Sequence, residues 1–225
     1  MIPDSTGGRT RADVPEVVDV PEVVEVFADI LCPFTHVGLR RLVDRRAELG
    51  RDRPVLVVRA WPLEIVNGRP LAPDVVAEEV LELRSSVAPA LFAGFEPAHF
   101  PSTSLPALAL AARARRAGEH VGERCSLALR YALFEEGRDI SDHDELARIA
   151  GECGIDGARG EDHAAVLADL ERGRALGVVG SPHFFIQDAG FFCPGLEIGR
   201  IEGRLRINLD VDGFASLAAR CFGVT

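Results

Sequence analysis

No run of about 20 apolar residues, the length a membrane-spanning helix needs, occurs in the 225-residue chain. The start, Met1 to Pro21, holds no apolar stretch of secretory-leader length behind a basic one. It reads MIPDSTGGRTRADVPEVVDVP, rich in Pro, Gly and charge, and residues 1–21 are expected to form a mobile tail. From these absences a cytoplasmic location is expected, with no membrane partner. A basic excess is absent too. Lys and Arg number 25 against 35 Asp and Glu, a net charge of −10. Such a chain repels phosphate backbones and anionic lipid, so no nucleic-acid partner is expected. Arg113, Arg115 and Arg116 read as the solvated face of a helix.

Cysteine is sparse and unpaired in sequence. Cys32, Cys125, Cys153, Cys193 and Cys221 make an odd number, and no two form CxxC. That argues against a disulfide framework and against a Cys-rich zinc module. In a reducing compartment the default is five free thiols. Cys125, Cys153 and Cys221 fall in apolar helical patterns and read as small buried hydrophobes. Cys32 and His36 are spaced i, i+4, but no second pair completes a site, so no metal is expected. P-loop, GxGxxG and GxSxG motifs are missing, which leaves nucleotide and hydrolase readings without support.

What is present is an ordinary core-forming composition, 47% apolar and 27% charged. Val23–Ile30 is short, β-branched and apolar, as a buried strand is. Cys32-Pro33 follows, and proline suits the first turn of a helix, predicted over residues 33–49 and stopped by Gly50. A second strand is predicted at Pro54–Trp61, giving a βαβ unit. Helices are then predicted over 73–85, Leu105–Ala117, Glu119–Glu136, a segment from Asp142 to Gly154, and 160–175. Asp142 with Glu145 resembles a capping box. Strand character returns at His183–Ile186 and Phe191–Pro194, read as a hairpin with Gly190 easing the turn. Asp212 is the expected cap of a last helix, Gly213–Phe222.

Two motifs carry a family resemblance: Asp29-Ile30-Leu31-Cys32-Pro33-Phe34-Thr35-His36-Val37-Gly38, and Gly177-Val178-Val179-Gly180-Ser181-Pro182-His183-Phe184-Phe185. With this order of elements the chain resembles the DsbA-like branch of the thioredoxin superfamily, above all FrnE-type dithiol–disulfide isomerases. Kappa-class glutathione transferases and 2-hydroxychromene-2-carboxylate isomerases are relatives of that branch. The resemblance implies an α/β fold: a thioredoxin-like sheet from residues 22–68 and 177–225, with an all-helical domain, 69–176, inserted between them. It also implies that Pro182 is a cis-proline beside Cys32, with Ser181 offering its backbone to an extended substrate.

Cys32 follows a strand and opens a helix, where unpaired amides and the helix dipole favour an anion. Its thiol is therefore expected to have a lowered pKa. Thr35 is placed to offer the sulfur a hydroxyl, and His36, one turn on, a positive charge when protonated. The catalytic set is thus Cys32, Thr35 and His36, and the substrate-binding set Pro33, Phe34, Ser181 and Pro182. The family's CPWC motif reads CPFT here, so position 35 has no thiol to open a mixed disulfide on Cys32. Cys193 is the less favoured, remote candidate for that task. His183 reads as a packing or hydrogen-bonded residue.

The leading reading is a DsbA-like thiol–disulfide oxidoreductase working as a monothiol on a small-molecule or peptide disulfide. No cofactor is expected to be bound; glutathione is the candidate cosubstrate. Alternatives are a glutathione-dependent transferase or isomerase of kappa-class type, and a redox-inert binding module. A homodimer is one option for the assembly.

Overall fold

The structure is a computed structural model that describes residues 20–223. The expected tail lies outside that span but for its last two residues. β1 (Val23–Ala28) leads into α1 (Pro33–Glu48), and β2 (Val55–Ala60) returns parallel to β1, pairing Val24 with Leu56. Two further helices follow, α2 (Leu63–Val66) and α3 (Pro73–Ser86), then a single 3-10 turn, Pro97–His99. The helical run continues as α4 (Leu105–Ala117), α5 (Glu119–Phe134), α6 (His143–Cys153) and α7 (Gly160–Ala175). β3 (His183–Ile186) then pairs antiparallel with β1, and β4 (Ala189–Phe192) with β3, giving the order β2-β1-β3-β4. The fold is therefore the expected one, a thioredoxin-like sheet with a helical insertion between β2 and β3.

Strand alternation decides what each sheet face covers. Val24, Val26 and Ala28 of β1 point to Leu39 and Leu42 of α1. They share that core with Leu217, Cys221 and Phe222 of α8 (Val211–Phe222). Phe27 points the other way, to Trp61, to Leu170 of α7 and to Val178. The helices α3 to α6 enclose the largest apolar cluster, which reaches Ile30, Leu31 and Val37 at the β1–α1 turn.

The structure corrects several local expectations. The β3–β4 turn is Gln187-Asp188, with Gln187 at φ 53°. Gly190 lies inside β4 opposite Phe185, where a Cβ would come within 2.9 Å of His183 Nε2. The last helix is capped by Asp210, not Asp212, since Asp210 Oδ1 accepts the Gly213 amide at 2.8 Å. The box at α6 is half formed. Asp142 accepts from the Asp144 and Glu145 amides at 2.9 Å, while Glu145 turns to Arg138 and Arg148. Between β4 and α8 stands an unforeseen hairpin, β5 (Leu196–Ile201) and β6 (Arg204–Leu209). Glu202 (φ 50°) and Gly203 (φ 79°) form its two-residue turn, both left-handed as a type I′ turn requires. This hairpin brings Ile198 to the mouth of the site.

Candidate active site

Cys32 occupies the N-cap of α1, in extended backbone (φ −82°, ψ 114°), with Pro33 as the first helical residue. Its thiol donates to the Ser181 carbonyl oxygen at 3.2 Å. The Thr35 amide and hydroxyl also face the sulfur and favour its anion. Thr35 Oγ1 lies 2.8 Å from Ser181 Oγ, which accepts the Asp29 amide at 2.9 Å. One serine thus ties the end of β1, the start of α1 and the loop before β3 into a single network. The Ser181–Pro182 peptide bond is cis, as the resemblance implied.

Asp29 anchors the far side of the turn. Its carboxylate accepts from the Leu31 amide at 2.8 Å, the Leu63 amide at 2.6 Å and Ser104 Oγ at 3.1 Å. Burial still pushes this carboxyl upward. Behind it, fully buried Arg130 donates to the Asp29 carbonyl oxygen at 3.1 Å and to Ser126. Burial pulls Arg130 down to about 10, while charge on Asp29 or Cys32 acts to retain its proton.

A cavity of about 350 Å³ opens in front of the sulfur. Cys32, Pro33, Phe34 and Ser181 line it, as do Leu63, Leu71 and Glu79 from the helical region and Phe192, Cys193 and Ile198 from the two hairpins. Apolar walls with a few polar groups suit a small organic or peptide ligand. Pro182 stands behind this wall rather than in it: its ring approaches Gly38, and its carbonyl oxygen accepts the Cys193 amide at 2.9 Å.

Two expectations fail here. Cys32 is only 3% exposed, and burial raises its pKa against the opposing pull of Thr35 and Ser181, with Glu79 adding to the rise. The resting group is therefore the thiol. The helix start was legible in the sequence, but the enclosure that outweighs it was not. His36, expected to charge the sulfur's surroundings, points away from it. His36 Nε2 lies 2.7 Å from Glu135 Oε1, between the rings of Phe92 and Phe134. It lines a different cavity, with Arg40 and Tyr131. Burial lowers its pKa despite Glu135, so it rests neutral.

Of the remaining expected residues, Thr35 and Ser181 reach the sulfur, and Pro33 and Phe34 line the cavity in front of it. His183 stacks on Phe185 at 4.6 Å, and its Nδ1 accepts the Val179 amide at 3.3 Å, a packing role. Glu79 was not foreseen. It lies beside Val76, Val80 and Leu83, the buried face of α3, and a carboxylate on the edge of such a stripe was the available signal. Burial raises Glu79 to about 7, with Glu78 pushing the same way. Among the described residues, no group of three or more His, Cys, Asp or Glu is placed to hold a metal. Nor, among them, is any helix long and apolar enough to cross a membrane.

The sequence model of the DSBA-like thioredoxin domain family matches residues 23–205. No curated protein matches the chain. Among solved structures, the cytosolic disulfide reductase DsbM from Pseudomonas aeruginosa, solved with GSH, superposes with a TM-score of 0.57 at 18% identity. That match covers 88% of this chain and 98% of that one. A 2-hydroxychromene-2-carboxylate isomerase superposes with a TM-score of 0.55 at 16% identity, over 76% and 88% of the two chains. At these identities the likeness is one of fold.

Proposed function

The chain belongs to the DSBA-like thioredoxin domain family, and from that premise we propose that it exchanges thiols and disulfides through Cys32 as the only attacking sulfur of its CPFT motif. The observation that carries this reading is the Cys32 thiol held at 3.2 Å from the Ser181 carbonyl oxygen, on the wall of an apolar cavity. A disulfide RSSR′ entering there meets Cys32, whose sulfur bonds to one substrate sulfur as the S–S bond breaks. The departing R′S⁻ takes the Cys32 proton and leaves as a thiol, and Cys32 is left in a mixed disulfide. Thr35 has no sulfur to open that bond, so another thiol must do so. Glutathione is the small-molecule candidate, and a relative in fold was solved with GSH. Leu63 of α2 and Leu71 of the α2–α3 loop wall the cavity and select an apolar disulfide substituent, small molecule or short peptide.

A cytoplasmic setting suits five buried cysteines that are all unpaired. A second reading, a glutathione-dependent isomerase of kappa-class type, draws on the missing second thiol at position 35. The raised pKa of Cys32 does not separate the two readings, because exchange draws on the Cys32 thiolate whereas the isomerase needs only a donor at this position to hold glutathione's thiolate. Cys32→Ser is expected to abolish reduction of a mixed glutathione disulfide in a coupled glutathione reductase assay. Activity equal to wild type would reject Cys32 as the nucleophile. Tight glutathione binding with no turnover of disulfides in the wild type would favour the isomerase.

A further inference from the structure

We propose that Cys193 is the resolving thiol of this site, closing a Cys32–Cys193 disulfide that takes the place of the absent CxxC pair. The inference rests on Cys32 acting as the attacking sulfur and names the group that acts next. Among the described residues the other cysteines lie elsewhere. Cys221 is packed with Leu217 and Phe222 behind the sheet, and Cys125 and Cys153 face each other between α5 and α6. Cys193 alone shares the cavity wall with Cys32.

The backbone holds the two in register. Cys32 binds the Ser181 carbonyl oxygen through its thiol, and Cys193 binds the next carbonyl oxygen, that of Pro182, through its amide at 2.9 Å. Both cysteines thus hang on consecutive peptide groups of one loop. Burial pushes the Cys193 thiol upward, and charge on Cys32 adds to the rise. Cys193 also sits at φ 43°, a left-handed conformation that favours glycine. Pro194 and Gly195 (φ 92°) follow, so the bend from β4 to β5 carries local strain at a residue with a nucleophilic side chain. A disulfide requires Cα atoms within about 7 Å of each other. The β4–β5 bend must let the two Cα atoms meet that limit, which the crosslink test below reads directly.

The step balances. In Cys32–S–S–R, the Cys193 sulfur bonds to the Cys32 sulfur as the bond to R breaks. RS⁻ takes the Cys193 proton and leaves as RSH. The substrate disulfide is the oxidant, ending as two thiols, and the protein dithiol is oxidised to one disulfide. Two molecules of a small thiol such as glutathione then return both cysteines to thiols and leave as its disulfide.

The test is to expose the reduced full-length chain to glutathione disulfide, quench by alkylation, and map the modified peptides by mass. In the wild type a Cys32–Cys193 crosslinked peptide is expected to accumulate, with little glutathione on Cys32. In Cys193→Ser or Cys193→Ala, glutathione is expected to persist on Cys32 at a level about tenfold or more above wild type. Cys221→Ser is expected to match the wild type. Glutathione standing on wild-type Cys32 with no crosslink overturns the role of Cys193 and leaves Cys32 as nucleophile. No modification of Cys32 in any form overturns both. The wild-type map decides the matter even if the Cys193 variants fail to fold.

Discussion

Cys32 donates its thiol proton to the carbonyl oxygen of Ser181 at 3.2 Å, a contact between residues 149 positions apart. The same serine's hydroxyl lies 2.8 Å from Thr35 Oγ1, so the group that replaces the second cysteine stays in the sulfur's network. Thr35→Val keeps the shape and deletes the hydroxyl. A hydrogen bond to a charged group contributes about 1.5–3 kcal/mol. Its loss raises the Cys32 pKa further and cuts the thiolate fraction at neutral pH by about tenfold or more. A pH series of iodoacetamide alkylation measures this. An unchanged profile would mean that the hydroxyl serves Ser181 alone.

Glu79 works against the thiolate from the opposite wall of the cavity. Its charge raises the Cys32 pKa, and its own carboxyl is pushed to about 7 by burial. Glu79→Gln is expected to speed Cys32 alkylation at neutral pH, the reverse of the Thr35 change. Stability carries a second signature. The unfolded carboxyl ionises near its ordinary value of 4.5, whereas the folded one keeps its proton up to about 7. Stability is therefore lost as pH rises through that interval, by up to about 3 kcal/mol. Urea midpoints at about pH 5 and about pH 8 should show a fall in the wild type and a smaller one in Glu79→Gln.

Much of this site could be seen in two short strings of sequence. A strand ending before Cys32-Pro33 and a loop ending in Ser181-Pro182 place the sulfur and its serine, because local turn chemistry fixes both. What escaped was non-local. Cys32 is enclosed by Phe34, Leu63, Leu71 and Ile198, drawn from separate segments, and that enclosure reverses the sign of the expected pKa shift. Ile198 reached the cavity through a hairpin whose pattern is faint. Its inward residues Leu196, Leu205 and Ile207 alternate with charge, and the Glu202-Gly203 turn is not one of the common strong signals. His36 misled for a related reason. Helical spacing put it one turn from Cys32, but α1 has turned that position toward Glu135.

Two glycines in helices should respond to alanine with opposite signs. Gly173 of α7 lies against the sheet, where a Cβ would sit 2.6 Å from Trp61 Cζ3 and 3.0 Å from Phe27 Cδ1. Neither ring can retreat, as Phe27 is 0% and Trp61 4% exposed. Gly173→Ala is expected to destabilise by about 1–3 kcal/mol through overpacking. Gly151 of α6 meets nothing within 4 Å. Gly151→Ala should stabilise by about 0.5–1 kcal/mol by restricting the unfolded chain and favouring helix. Urea denaturation of both variants checks the pair, and destabilisation by Gly151→Ala would contradict the open surroundings of that residue.

His36 and Glu135 should make the fold acid-sensitive without touching the chemistry. Burial lowers the His36 pKa below its ordinary value of 6.5, although Glu135 pulls the other way. Burial likewise lifts Glu135, but His36 and the Phe92 and Ala93 amides outweigh it and hold that carboxyl below 4.5. In each case the unfolded chain binds a proton that the folded one resists, so stability falls with pH below 6.5 for His36 and below 4.5 for Glu135. Between those two values Glu79 acts with the opposite sign, which makes the variants separable. His36→Gln should remove the acid sensitivity between pH 6.5 and 4.5, while Glu79→Gln exposes it more fully. Because His36 faces a different cavity, His36→Gln should change the Cys32 alkylation rate by less than about twofold at any pH. A larger change would return the histidine to the catalytic group.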